Sequence, residues 1–260
     1  MTGDATDVIS LHPLLCGYEI IPETVSLASG DPRIVLAVPI TAYLIETRRG
    51  AVLFDTALDE GNLHDPVQRR ALFTDRGWDP PPVVWPAHEM GARLEALGVG
   101  FAGIAAVVLS HMHADHTGHL KRLAHAPLHV QRAELDHAFG VAGPAYFGSD
   151  YDLPQLDWHP MEGDTEIMPG LSVLSTPGHT PGHCSLLVEL PNAGPVILAA
   201  DAGDLRRNFE ERIAPGEASD PTAALASIDR LETLRRERGA RILLTHEPEH
   251  AQLALADRMS

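Results

Sequence analysis

The stretch His111-Met112-His113-Ala114-Asp115-His116 places three imidazoles and one carboxylate within six residues. It comes directly after Ile104 to Ser110, a nearly all-apolar run that is typical of a strand buried on both faces. Imidazole and carboxylate ligands suit Zn²⁺ and similar ions, and the absence of nearby thiolates argues against a purely structural zinc site. A solvated polar loop is the alternative, but this density of histidine after a buried strand favours a metal site.

Further ligand-type residues follow other predicted strands. They are His179 after Thr176, Asp201 after Ala200, His246 after Thr245, and Asp55 after Phe54. Each alone could be a hydrogen-bonded loop residue. Together they arrive at the carboxyl ends of strands, where open α/β folds place their ligands. They exceed what one tetrahedral ion can use, so two ions that share a carboxylate explain the pattern better.

Strand and helix signals alternate along the chain with no linker, so we predict a single domain over residues 1–260. Residues 35–47 and 51–55 read as strands, and a short helix is predicted from Asp115 to Ala124. Asp220 followed by Pro221 predicts the start of a helix that Gly239 ends. Two long excursions, near 57–87 and 141–160, read as irregular because of their proline and glycine content. Long loops in compact domains are usually functional, so we expect both to wall a pocket.

Composition excludes several classes of function. The 260 residues include 19 Lys and Arg against 36 Asp and Glu, a net charge of −17 that disfavours nucleic acid and anionic membranes as partners. Apolar runs fall short of the roughly 20 residues that span a bilayer. The start of the chain is acidic and has no basic segment, which argues against export, and Cys16 and Cys184 are too few for a disulfide framework. We therefore expect a soluble, cytoplasmic protein.

The chain resembles the metallo-β-lactamase-fold hydrolases, whose pattern is HxHxDH, a later His, a bridging Asp and a final His. The matching residues are His111, His113, Asp115, His116, His179, Asp201 and His246. Four further strings resemble the N-acyl-homoserine-lactone lactonase branch: YLIETRRGAVLFDT (43–56), STPGHTPGHCSLLVE (175–189), DAGDLRRNFEE (201–211) and LLTH (243–246). The motif is specific for the superfamily and says little about the substrate.

This resemblance implies an α/β fold, a four-layer αββα sandwich with the site along one edge of its sheets, and two Zn²⁺ per chain. By similarity, one zinc is held by His111, His113 and His179, the other by Asp115, His116 and His246, and Asp201 bridges them. Asp55 would orient a ligand imidazole, and His183 would be structural or would support a ligand. His119 and His250 are not expected to coordinate.

The implied reaction is the opening of a lactone, or of a related ester, by a zinc-activated hydroxide. The positive charge of zinc would stabilise the oxyanion, and Asp115 would carry a proton to the leaving alkoxide. Serine chemistry has no support, because no Gly-x-Ser-x-Gly motif occurs.

Asp204 departs from the lactonases, which commonly have tyrosine at this position. An ionised carboxylate cannot donate the hydrogen bond of a phenol. We therefore count Asp204 among the catalytic candidates and expect it to face the pocket. Activity on homoserine lactones should be modest, with better activity on a substrate that presents a donor or a positive group.

Several alternatives stay open. The same scaffold hosts other lactonases, arylesterases, thioesterases and phosphotriesterases. A β-lactamase is disfavoured because Lys121 is the single lysine, and a nuclease because of the charge. A non-catalytic metal-binding sensor is the alternative from another class. A small-molecule lactone or ester is the expected partner, and a homodimer is the commonest form of assembly.

Overall fold

The structure, a computed structural model, describes residues 6–140, 143–250, 253 and 259. Its strands are β1 (Val8–Pro22), β2 (Val35–Thr47), β3 (Gly50–Phe54), β4 (Ile104–Val108), β5 (Pro127–Gln131), β6 (Asp157–Met161), β7 (Thr165–Met168), β8 (Leu171–Ser175), β9 (Cys184–Leu190), β10 (Gly194–Leu198) and β11 (Arg241–Leu243). Its α-helices are α1 (Glu23–Ser26), α2 (Glu60–His64), α3 (Pro66–Leu72), α4 (Met90–Ala96), α5 (Ala114–Thr117), α6 (Arg132–Gly140), α7 (Gly148–Tyr151), α8 (Arg206–Glu210) and α9 (Pro221–Arg238).

Within the described residues, the strands form two mixed sheets. The first has the order β1-β2-β3-β4-β5-β6, antiparallel from β1 to β3 and parallel from β3 to β6. The second has the order β11-β10-β9-β8-β7, with only β10 and β11 parallel. The loops after β3, β4, β8, β10 and β11 carry the predicted ligands.

Alternating side chains show how the layers are stacked. On β2, Tyr43 and Ile45 pack into the apolar cluster shared by the two sheets, whereas Leu44 packs into the cluster that includes helix α4. On β9, Leu186 joins the cluster between the sheets and Leu187 packs with residues of α9. Because successive strand residues point to opposite faces, the order is helix, sheet, sheet, helix. The predicted αββα sandwich is confirmed.

Helix α9 begins and ends where the sequence predicts. Asp220 accepts hydrogen bonds from the backbone N–H groups of Thr222 and Ala223, and Pro221 occupies the first turn. Gly239 ends the helix with φ 63°, a left-handed conformation that glycine adopts without strain. None of the helices in the described ranges is long and apolar enough to cross a membrane.

Three expectations about secondary structure were wrong. The excursion 57–87 contains helices α2 and α3, because Asp59 and Asp65 cap their N-termini and the prolines at 80–82 lie beyond them. The excursion 141–160 contains α7 and most of β6, and residues 141–142 lie outside the described ranges. The helix predicted from Asp115 to Ala124 is the short α5 followed by a 3₁₀ turn at Leu120–Arg122. The long strand β1 was not predicted.

Candidate metal centre and adjoining cavity

Three imidazoles meet where β4 and β8 end. Nδ1 of His113 lies 3.1 Å from Nε2 of His179. The ring centroid of His111 lies 4.5 Å from that of His113 and 4.7 Å from that of His179. One ring nitrogen from each of the three side chains lies within 4.8 Å of the other two. This spacing allows all three to bind one metal ion. Their convergence follows from the sheets, which bring these two loops to one edge.

A second group of ligand-type side chains lies beside the first. Its members are Asp115, His116, Asp201 and His246, all buried. Oδ2 of Asp115 lies 3.0 Å from Nε2 of His116 and 3.6 Å from Nε2 of His246. The structure thus brings together all seven residues that match the superfamily motif, in the two groups that the resemblance implies.

A single oxygen atom joins the two groups. Oδ2 of Asp201 lies 3.5 Å from Nε2 of His179 and 3.7 Å from Nε2 of His111. The same atom lies 3.5 Å from Nε2 of His116 and 3.4 Å from Nε2 of His246. One carboxylate is therefore placed to serve both groups.

The spacing of these atoms fits zinc. Ligand atoms of a tetrahedral zinc, bound at about 2.0–2.1 Å, lie about 3.3–3.4 Å apart. The seven distances that separate neighbouring donor atoms range from 3.0 to 3.7 Å. Nε2 of His111 and Oδ1 of Asp201 are buried without a hydrogen-bond partner among the described residues. Buried polar atoms left unpartnered are costly, and a bound cation would satisfy them.

The charge states of the two groups differ. Burial lowers the pKa of His113 to about 4 and the pKa of His179 to about 3, so both imidazoles are neutral ligands at pH 7. Burial also disfavours a charged His116, but the carboxylates of Asp115 and Asp201 raise its pKa well above the ordinary value. The two carboxylates of the second group therefore favour positive charge beside them, which a bound cation would supply in place of the proton.

Two contacts orient imidazoles of the second group. Nδ1 of His116 donates to Oδ2 of Asp55 over 2.9 Å, and Ser110 donates to the same carboxylate through its backbone N–H and hydroxyl groups. Nδ1 of His246 donates to the backbone carbonyl of Pro39 over 2.8 Å. With Nδ1 engaged, each ring presents Nε2 to the site. Asp55 makes the contact with a ligand imidazole that the resemblance implies. Nothing in the sequence predicted the contact between His246 and the carbonyl of Pro39.

The remaining predicted histidines lie outside both groups. His183 accepts from the backbone N–H of Asp201 through Nε2 and donates to the carbonyl of Thr176 through Nδ1, so it holds the loop of Asp201. His119 donates to the carbonyl of Thr56, and its Nε2 lies 2.8 Å from Glu60. A third group of ligand-type residues consists of His119, Glu60 and Asp59. The ammonium group of Lys121 pairs with Asp59 and so supplies a positive charge to this group.

Glu134 is a buried residue of the site that the sequence analysis missed. Its carboxylate accepts from the backbone N–H of Met112 over 2.9 Å and from that of Gly182 over 3.1 Å. It also accepts from the hydroxyls of Thr180 and Tyr146. Glu134 therefore ties the loop of His111 and His113 to the loop of His179. It lies on α6, far along the chain from both loops, so no motif spacing could reveal it.

Replacing Glu134 with glutamine should loosen the first group of imidazoles. The amide keeps one acceptor oxygen and turns an NH₂ group towards donors, so some of the four hydrogen bonds are lost. We expect zinc affinity to fall about 10- to 100-fold, the usual loss when a group that orients metal ligands is changed. Competition with a chromophoric chelator measures it. The control is Asp136→Asn, exposed on the same helix, and equal affinities in the two variants would contradict the role of Glu134.

A cavity of about 260 Å³ adjoins the ligand-type residues. Both excursions wall it, as predicted: Arg76 to Asp79 come from the first, and Pro144 and Ala145 from the second. The end of β1, from Glu19 to Pro22, forms another side. His113, Asp115, His179, Asp201 and His246 also line it, so a molecule in the cavity would contact the candidate metal centre.

Asp204 lines this cavity, as the sequence analysis expected. It is only 5% exposed. Burial raises the pKa of Asp204 to about 7, although His246 opposes this increase; Asp201 adds a smaller increase. The carboxyl group is thus poised between its neutral and charged forms near neutral pH.

Comparison with known proteins agrees with this geometry. The model of the metallo-beta-lactamase superfamily matches residues 35–246. An N-acyl homoserine lactonase of a Bacillus species is 32% identical over 218 residues, which cover 84% of this chain and 85% of the relative. The N-acyl homoserine lactonase AttM of Azorhizobium caulinodans is 32% identical over 221 residues, 82% of this chain and 83% of the relative.

Solved structures give the same result. A quorum-quenching N-acyl homoserine lactone lactonase superposes with a TM-score of 0.81 at 29% identity, covering 95% of each chain. An N-acyl homoserine lactone hydrolase with the product N-hexanoyl-L-homoserine bound at its catalytic metal centre has a TM-score of 0.81 at 28% identity, covering 94% of this chain and 96% of that chain.

Proposed function

Since the chain belongs to the metallo-β-lactamase superfamily, we propose that it is a metal-dependent hydrolase that opens a lactone, or a related ester, at a site for two zinc ions. The observation that carries this proposal is the position of Asp201, whose Oδ2 atom lies within 3.7 Å of one nitrogen in each of four imidazoles. The enzyme would act as a single domain, in the cytoplasm, on a small molecule.

The proposed ligands follow the two groups. One ion would be held by His111, His113 and His179, the other by Asp115, His116 and His246, and Asp201 would contact both. When bound, two zinc ions supply an acidified water as nucleophile near neutral pH and positive charge for the ester oxygens. The contacts of Asp55, Pro39 and Glu134 keep the ligands in place.

Asp115 is the residue we propose for proton transfer. It lines the cavity, and although burial opposes its charged form, His116 lowers the pKa of Asp115 to about 2. It is therefore a carboxylate that can accept the proton of the attacking water. As the bond between the carbonyl carbon and the ring oxygen breaks, the same proton passes to the leaving oxygen, and the product is a hydroxy acid.

A panel of substrates tests this function. Zinc-loaded protein should hydrolyse lactones with a higher kcat/KM than aryl esters, thioesters, phosphotriesters or β-lactams, and a chelator should abolish the turnover. A higher kcat/KM for another substrate class would assign the protein a different hydrolase activity on the same fold. Asp204, which stands where lactonases commonly have tyrosine, is compatible with that alternative. No turnover with both ions bound would instead favour the metal-binding sensor.

Changing Asp204 to asparagine should alter the ranking of substrates. The amide has a similar shape but no charge and donates hydrogen bonds, so neutral homoserine lactones should gain relative to substrates with donor or cationic groups. The expected change is about 1–3 kcal/mol on any one substrate. Ratios of kcat/KM across the panel measure it, with zinc content as the control. An unchanged ranking would mean that Asp204 plays no part in selecting substrates.

A further inference from the structure

The lining of the cavity includes three acids outside the candidate metal centre. We call Glu19, Asp204 and Glu217 the acidic wall. All three line the cavity and none belongs to the proposed ligand set. Glu19 and Asp204 are buried, whereas Glu217 is exposed at the surface, so the wall extends from the candidate metal centre to the solvent.

Glu19 is the member that points to a ligand. It lies near the end of β1 and is only 7% exposed, yet it lines the cavity. Neither a hydrogen bond nor an ion pair to its carboxylate occurs within the described part of the chain. Buried carboxylates are normally paired or hydrogen-bonded, because an unpaired buried charge is costly. Glu19 therefore lacks the partner that its burial demands.

The imidazole of His246 lies beside this wall, but its Nε2 faces Asp115 and Asp201 and gives the carboxylate of Glu19 no hydrogen bond. Among the described residues that line the cavity, Arg76 carries the one guanidinium group. It is already engaged: it donates to the carbonyls of Pro144 and Tyr146 and lies 5.0 Å from the centre of the Phe147 ring. A hydrogen-bond donor for the carboxylate of Glu19 would therefore have to arrive with a ligand.

Other residues that line the cavity are apolar. Ile20, Val25, Trp78 and Ala145 are among its lining residues. A highly polar molecule, such as a sugar or a polycation, would make few apolar contacts with these residues. The acidic and apolar lining residues together fit a molecule with a carbon chain and one positively charged end, and the indole ring of Trp78 can add to the attraction.

We propose that the preferred substrates are lactones or esters that carry a cationic nitrogen, such as a primary ammonium group, and that Glu19 recognises this group. The inference rests on the proposed function and specifies its substrate class. Glu19 is thus a specificity-determining residue. It would pair with the ammonium group while the ester lies against the metal centre.

Matched substrates test the proposal. Homoserine lactones with short, medium and long acyl chains that end in an ammonium group are compared with the neutral lactones that end in methyl. With zinc-loaded protein, we expect the ammonium member to have at least a tenfold higher kcat/KM at one chain length. In Glu19→Gln this ratio should fall about 10- to 100-fold, the loss typical of a hydrogen bond to a charged group. Glu95→Gln, exposed on α4 and outside the cavity, should keep the parent's ratio.

A binding measurement examines the pocket without turnover. Hexylammonium should bind to the zinc-loaded protein at least tenfold more tightly than hexanol in calorimetry, and Glu19→Gln should remove the difference. A difference that persists in this variant would place the amine elsewhere and overturn the role of Glu19. So would a variant that binds zinc more weakly but, once loaded with zinc, keeps the parent's substrate ratio, because Glu19 would then only balance the charge of the ions.

The outcomes separate this inference from the proposed function. Hydrolysis of the neutral lactones without any preference for the ammonium members would overturn the inference and leave the lactonase standing. Hydrolysis of neither set would contradict the proposed function, while the calorimetry would still decide whether Glu19 binds a cation.

Discussion

Asp201→Asn should release zinc from both halves of the site and lower kcat/KM by about a thousandfold or more, which corresponds to about 4 kcal/mol. The reason is the position of Oδ2, which lies 3.4 Å from Nε2 of His246 and 3.5 Å from Nε2 of His179, in different groups. An amide oxygen carries no negative charge, and its NH₂ group cannot bind a cation. Elemental analysis of the purified variant and its steady-state kinetics give the two values.

The matched control for this variant is His119→Ala. His119 lies close in sequence to His116, but both of its ring nitrogens are engaged by Thr56 and Glu60. Removing the imidazole should lower the free energy of unfolding by about 2–4 kcal/mol. It would take away the hydrogen-bond partner of Glu60 and create a cavity beside Phe101. Zinc content should not change. Equal loss of zinc in the two variants would show that the ligands are wrongly assigned.

Chelation has the other large expected effect. Removing zinc should abolish hydrolysis and lower Tm by roughly 10 °C or more, because each site contributes about 4 kcal/mol when free zinc is about 1,000 times its Kd. The buried atoms without partners, such as Nε2 of His111 and Oδ1 of Asp201, would lose the cation that satisfies them. Differential scanning calorimetry with and without chelator measures the shift.

Adding zinc back is the control for chelation. Activity and Tm should both return, whereas Mg²⁺ should restore neither, because it prefers oxygen ligands and the first group offers only imidazole nitrogens. Chelated protein that retains its turnover and its Tm would contradict a metal-dependent function.

The candidate ligands were predictable because ligand chemistry and strand ends coincide in the sequence. His111 follows a buried strand, and Asp201 and His246 each follow an apolar strand that a turn or helix signal delimits. Parallel neighbours such as β10 and β11 bring such ends to one edge of a sheet. The position of Asp55 at a strand end was predictable in the same way, and its carboxylate accepts a hydrogen bond from Nδ1 of His116.

Other features depend on contacts between distant segments. Glu134 contacts Met112 and Gly182 on either side of it in the chain, and nothing in its own neighbourhood marks it. Glu19 lies on β1, a strand that was not predicted, so its place in the cavity could not be foreseen. Helices α2 and α3 were missed because the prolines near residue 80 outweighed the capping signals of Asp59 and Asp65.

Metal titration of the chelated protein tests the central claim most directly. Zinc is added in steps, with hydrolysis of the best lactone and bound zinc measured on the same samples. We expect activity to rise until two ions are bound per chain and to stay constant beyond that point. Full activity with one ion bound, or with none, would contradict a site in which Asp201 serves two ions.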